Sequence, residues 1–358
     1  MTMKMSFRWF GEDADPVKLQ QIRQLPGVNQ IVGTLFDQPA GAAWPEAEIA
    51  ALKQQVEAAG MKLEVIESVN IHEDIKLGRP SRDQYIANYI TTIKRLAKYG
   101  IKVICYNFMP IFDWTRTDLF YRLPDGSTDL AFDHTQVQGS AQAMIAKAKA
   151  AHDEYPMPGW EPERLDDLAT LFTAYEGVTE ADLAENLRYF LAAIIPTCEA
   201  EGIKMAIHPD DPPQPLFGLP RIVKNRNDLD RIIHMVDSPM NGLTLCVGSL
   251  GEDPANDVPA IIREFVGLDR VPFVHARNLK RGANGDFHET AHASSAGSID
   301  MYEIINTLTE SGFDGYIRPD HGRMIWGETG RAGYGLYDRA LGSQYLNGLI
   351  EACAKAAE

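Results

Sequence analysis

Four residues of metal-binding type close short apolar runs: His208 in AIH, Cys246 in LTLC, His275 in PFVH and Asp320 in RPD. The gaps between them are 38, 29 and 45 residues, each close to the length of one strand with its crossover helix. If the runs are neighbouring parallel strands, all four side chains reach the same end of the sheet at the same height. Two imidazoles, a thiolate and a carboxylate suffice to hold a divalent cation and leave positions for a substrate. Singly, each has a plainer use. A histidine at a strand end is commonly a hydrogen-bonded structural group, a cysteine in an apolar strand fills core, and an aspartate before a helix caps it. Four of them in register argue for the metal.

Around this set stand groups that move protons or hold oxygens. His321 follows Asp320 directly, and at a strand end the turning chain can aim both into one mouth. A neutral imidazole there shuttles protons near pH 7. Tyr334 sits between glycines in RAGYGLYDR, which lets backbone approach a ligand closely. Arg8 and Arg277, near strand ends, suit a carboxylate or polyol through forked hydrogen bonds, and Asn107 is a further hydroxyl partner. The stretch HETAH (residues 288–292) matches the HExxH pattern of zinc proteases. That pattern works only on a helix, where two histidines four apart share a face. GANGD before it and ASSAGS after it oppose a helix, so His288 and His292 read as loop groups that close over a substrate.

The elements that must position these residues alternate along the chain. SFRWF, NQIVGTL, KLEVIESV, IKVICYNF, IKMAIHP, GLTLCVG, VPFVHARNL and GYIRPD are β-rich. Amphipathic runs such as PEAEIAALKQQVEAAG, RDQYIANYITTIKRLAKYG, NRNDLDRIIHMVD and DVPAIIREFVGLD lie between them. Strands separated by crossover helices are parallel. Eight of them predict an α/β fold, a single (β/α)8 TIM barrel spanning residues 1–358. No GxGxxG follows the first strand and no GKS or GKT occurs, which removes the main support for a doubly wound nucleotide-binding sheet. Residues 109–179 break the alternation and predict an insertion after strand four, a lid or an oligomer contact. Residues 281–298, rich in Gly, Ser and Ala, predict a mobile loop.

Composition narrows the function. Thirty-four basic against 50 acidic residues, a net charge of −16, oppose nucleic acid, a nuclease's basic groove or an anionic membrane as partner. No apolar run reaches a membrane span, and the N-terminus lacks the core of a signal peptide. Cys105, Cys198, Cys246 and Cys353 are scattered and read as reduced thiols, so a cytoplasmic location is expected.

RWFGEDADPV, FDQPAG, ESVNIHEDIKLG, CYNFMPIFDWTRTDL, IHPDDPP, LCVGSLGED, FVHARN, FHETAH and RPDHGR together resemble the mannonate dehydratase family of hexuronate catabolism. The resemblance covers nearly the whole chain. It implies a barrel related to the xylose isomerase type, a manganese ion, and conversion of D-mannonate to 2-keto-3-deoxy-D-gluconate with loss of water. Carried over by motif, it implies His208, Cys246, His275 and Asp320 as ligands and His321 with Tyr334 as the acid/base pair. On softness alone, a thiolate with two imidazoles favours Zn²⁺ or Co²⁺ over Mn²⁺, so manganese is implied by the resemblance and not by the ligands, with Fe²⁺, Co²⁺ and Zn²⁺ as alternatives. A metal-dependent sugar isomerase or epimerase on the same barrel is the alternative, and a catalytically silent sugar-binding protein would not need the Cys/His/Asp face. The expected partner is a small sugar acid, and the long insertion makes a homodimer the expected assembly.

Overall fold

Short apolar segments pair edge to edge and close on themselves. The computed structural model describes residues 3–137, 145–146, 165 and 167–356. Strands β1 (Lys4–Arg8), β2 (Gln30–Gly33), β3 (Lys62–Glu67) and β4 (Val103–Tyr106) are followed by a hairpin, β5 (Asp118–Arg122) and β6 (Thr128–Phe132). Then come β7 (Lys204–Ile207), β8 (Asn241–Cys246) and β9 (Phe273–His275), a second hairpin of β10 (Asn278–Arg281) and β11 (Phe287–Thr290), and β12 (Tyr316–Arg318). Eight of these form a closed parallel barrel in the order β1-β12-β9-β8-β7-β4-β3-β2. They are the eight strands expected from the sequence.

The strands read as nearly continuous apolar runs because helices cover the outside while side chains fill the inside. Every residue of β4, β8 and β9 is buried. The amphipathic runs become helices Glu46–Ala58, Arg82–Lys98, Arg226–Met235 and Val258–Gly267, each turning its apolar stripe inward. Thr179 starts helix Glu180–Glu201 by accepting from the Asp182 N–H, and Gly202 ends it at φ 69°. One hydrophobic cluster extends from Met5 in β1 to Cys353 in the last helix. Each buried Leu, Ile or Phe in it contributes about 1.5–3 kcal/mol of transfer free energy.

Two connections depart from the plain strand–helix alternation, and they meet. After β4 the chain makes the β5–β6 hairpin, and after β9 it makes the β10–β11 hairpin. β6 and β11 pair antiparallel, giving a second sheet in the order β10-β11-β6-β5. The stretch 281–298 is thus built of paired strand and a short 3-10 turn (Ser294–Ala296), not an open loop. Its turn carries Asn284 at φ 57° and Gly285 at φ 85°. Two successive positive φ values are the type I′ hairpin pattern, which Asn-Gly favours. Within 109–179, helix Leu168–Ala174 packs Leu168 with Ile111, Phe112 and Tyr175 in a small core of its own. The expected helix AQAMIAKAKAAHDEY, apart from residues 145–146, and the Pro-rich PMPGWEPER lie outside the described residues. Among the described residues no helix is long and apolar enough to cross a membrane.

Candidate active site

The barrel delivers the four metal-type residues to one mouth. Cys246 and His275 end β8 and β9, His208 follows β7, and Asp320 lies two residues beyond β12. His208, Cys246 and His275 bring donor atoms within 4.8 Å of one another. Asp320 borders this group: its Oδ2 is 3.7 Å from Cys246 Sγ and its Oδ1 is 3.7 Å from His275 Nδ1. Asp320 reaches that place through a left-handed backbone, φ 64°, which carboxamide and carboxylate side chains tolerate better than most. It is not a helix cap.

Hydrogen bonding shows how the ring nitrogens are used. His208 Nδ1 lies 2.7 Å from the Pro209 carbonyl, which only accepts, so Nδ1 carries the hydrogen and Nε2 keeps a bare lone pair. That lone pair faces His275 Nδ1 at 3.1 Å. The other nitrogen of His275 faces the Glu67 carboxylate at 3.6 Å. Ser249 directs its N–H and its hydroxyl at Cys246 Sγ, 3.4 and 3.0 Å away, so the sulfur is the accepting partner. Electron pairs converging from two imidazoles, with a sulfur and a carboxylate alongside, fit a divalent cation. Glu67, Cys105 and His275 form a second close group. It fits less well: Arg318 pairs with Glu67 at 3.1 Å, and burial, with Glu67 beside it, pushes the Cys105 thiol well up.

Beside these four residues His321 and Tyr334 form a hydrogen-bonded pair. His321 Nε2 and the Tyr334 hydroxyl are 3.0 Å apart, both residues are buried, and Trp114 flanks the imidazole with ring centroids 5.1 Å apart. Burial raises the Tyr334 phenol above its ordinary range, against the pull of Arg318. His321 Nδ1 sits 3.0 and 2.9 Å from the two oxygens of Glu289.

A buried charge lattice supports all of this. Arg318 pairs with Asp320 at 2.8 Å and Glu67 at 3.1 Å. Arg277 reaches Asp320 at 2.9 Å and Asp211 at 2.7 Å, and Arg116 reaches Asp211 and Glu289, both at 2.6 Å. Burial opposes ionisation of Asp320, Asp211 and Glu289, but the arginines outweigh it and hold all three below the usual carboxylate range.

With this geometry in hand, comparison with known proteins is decisive. The sequence model of the family described as D-mannonate dehydratase (UxuA) matches residues 3–358. The chain belongs to the D-mannonate dehydratase family. It is 59% identical over 355 residues to the mannonate dehydratase of Lactococcus lactis subsp. cremoris strain MG1363, covering 99% of both chains. It is 60% identical over 348 residues to that of Geobacillus thermodenitrificans, covering 97% of this chain and 94% of the relative. The crystal structure of mannonate dehydratase from Streptococcus suis serotype 2 superposes with a TM-score of 0.90 at 47% identity, over 100% of this chain and 96% of that one. A xylose isomerase domain protein from Planctomyces limnophilus, TM-score 0.57 at 12% identity over 99% and 100% of the two chains, shares the barrel alone.

The other candidates divide within this family member. A cleft at the mouth is lined by Arg8, Asn107, His208, Asp320, His321 and Tyr334, among others. Arg277 is buried outside that lining, its Nε and Nη2 engaged with Asp320, Asp211, Glu252 and Ser249. His288 points away from the cleft, stacked on Tyr121 with centroids 5.3 Å apart, because neighbours on a strand face opposite ways and Glu289 takes the inner face. His292 is buried and its Nε2 meets the Pro319 carbonyl at 2.6 Å, so it does not cover a substrate as a loop group would. Sequence reasoning missed Glu67, Trp114, Arg116, Asp211, Glu289 and Arg318. Two signals were available: the arginine immediately before the PDH step, and Asn-Gly as the mark of a hairpin that aims alternate residues inward.

Proposed function

We propose that this chain removes water from D-mannonate to give 2-keto-3-deoxy-D-gluconate, the hydro-lyase activity for which its family is named. One observation carries the reading: a full-length family match whose barrel sets a buried His321–Tyr334 pair beside a His/Cys/His/Asp group. His208, Cys246, His275 and Asp320 would hold the metal, which we assign as manganese. Bound there, the ion supplies Lewis acidity toward the sugar-acid carboxylate and its neighbouring oxygen.

The chain's own residues handle the protons. His321 takes the proton from C2, whose electron pair first spreads into the carboxylate as an enediolate and then becomes the C2–C3 double bond as the C3 hydroxyl departs. Tyr334, which burial keeps protonated, gives its proton to that leaving oxygen, so water is released. The resulting enol tautomerises to the 2-keto acid. Arg8 and Asn107, which line the cleft, are our candidates for the polyol and carboxylate. Arg277 and His288 lie outside that lining, and we assign them supporting duties. Trp114 and the aromatic wall around Tyr334 keep bulk water off the pair. We further propose a cytoplasmic homodimer with residues 109–179 as lid or subunit contact on a single barrel domain. Sedimentation of the full chain reads the assembly.

The deciding experiment incubates the protein with D-mannonate and Mn²⁺ and measures product mass and 2-keto-3-deoxy acid. A product lighter by one water is expected. A product isomeric with the substrate would overturn the reading in favour of an isomerase or epimerase.

A further inference from the structure

We propose that Glu289 is a positioning residue for His321: it dictates which ring nitrogen bears hydrogen and holds Nε2 against the Tyr334 hydroxyl. The inference rests on the reading of His321 as a proton-transfer group, and it absorbs HETAH, which had found no role there.

Glu289 is buried on the inner face of β11. Its Oε1 is shared between arginines and His321, and its Oε2 meets His321 alone. Arg116 donates to Oε1 from Nε at 3.1 Å and from Nη2 at 2.6 Å, and Arg277 Nη1 stands 3.3 Å from the same oxygen. A carboxylate held at one oxygen by the Arg116 fork, with the Arg277 charge beside it, cannot rotate freely. Both oxygens are thereby presented to His321 Nδ1, Oε1 at 3.0 Å and Oε2 at 2.9 Å. An ionised carboxylate only accepts, so Nδ1 carries the hydrogen. The opposite nitrogen of a neutral ring is then the bare acceptor, and the partner it meets at 3.0 Å is the Tyr334 hydroxyl. The ring that must receive a proton is held with its lone pair toward the reacting side.

The same segment grips its neighbour a second time. His292 Nε2 donates to the Pro319 carbonyl at 2.6 Å, one residue before Asp320. HETAH thus braces Pro319–Asp320–His321 from one side at two points, a use quite different from the zinc-protease motif it imitates.

Glu289→Gln tests the assignment with almost no change of shape. Arg116 would keep the amide oxygen, and the NH₂ in place of Oε2 could no longer accept the Nδ1 hydrogen, which weakens the hold on that tautomer. The expected result is a loss of about 10–100-fold in kcat with KM and bound metal nearly unchanged. In a His321→Ala background the same change should cost nothing further, because it acts through that ring. A Glu289→Gln enzyme with kcat within about threefold of wild type, or losses that simply multiply in the double variant, would overturn the proposal. Because Glu289 also balances two arginines, a second measurement is needed that does not depend on the stability of that variant. The wild-type chain answers independently. Loaded with diamagnetic Zn²⁺ and labelled with ¹⁵N-histidine, it should show His321 as the Nδ1–H tautomer, the signal being identified by its loss in His321→Ala. An Nε2–H tautomer would overturn the proposal. A wild-type chain that failed to dehydrate D-mannonate would overturn the functional reading while leaving this tautomer measurement intact.

Discussion

His208 Nε2 and His275 Nδ1 face each other at 3.1 Å, although the two residues lie 67 positions apart in the chain. Metal–nitrogen bonds of about 2.0–2.1 Å give ligand edges of this size. Chelation should therefore abolish dehydration and lower the thermal midpoint, since an ion bound only by the folded state stabilises it. Activity measured after adding back single metals should recover best with Mn²⁺. Better recovery with Zn²⁺ would replace manganese in the assignment and agree with the softness of Cys246.

His321→Ala and Tyr334→Phe should each keep the metal and lose about 100-fold or more in kcat. They should differ in one respect. Solvent deuterium should still exchange into C2 of mannonate with Tyr334→Phe and not with His321→Ala. Exchange surviving in the histidine variant would reverse the two roles.

Arg318→Leu removes one cation from between Asp320 and Glu67, which it meets at 2.8 and 3.1 Å. Two buried carboxylates then lack that partner, and the expected destabilisation is about 3–5 kcal/mol. Denaturant unfolding of metal-free wild type and variant reads it directly. A loss below about 1 kcal/mol would mean that the remaining charges rearrange to compensate.

Gly342 packs its Cα face against the His292 ring, and an added methyl would overlap Nδ1, Cε1 and Cγ. Gly342→Ala should cost about 1–3 kcal/mol through overpacking. It should also slow turnover by displacing His292 from the Pro319 carbonyl. Unfolding curves and kcat of one preparation test both halves.

The barrel was legible because each strand has an apolar centre and the helices repeat apolar residues every three or four positions. The gathering of His208, Cys246, His275 and Asp320 was legible for a related reason: a parallel barrel turns sequence spacing into equal height at the mouth. Glu289 and Arg116 were not legible. Their partners, Asp211 and His321, sit in the loops beyond β7 and β12, and no local period links the members of a buried ion lattice. The β10–β11 hairpin was hidden by its brevity, four residues a strand, although Asn284-Gly285 marked its turn. His288 was misjudged along with it, since only a strand sends His288 outward and Glu289 inward.

Strands β6 and β11 are paired through Phe132 with Phe287 and Ala131 with His288. They come from excursions that leave the barrel after β4 and after β9, strands separated on the rim by β7 and β8. Separating the two would require breaking that ladder, so they travel as one plate. Whatever passage a sugar acid takes into the chamber, this stretch of the doorway opens as a single leaf.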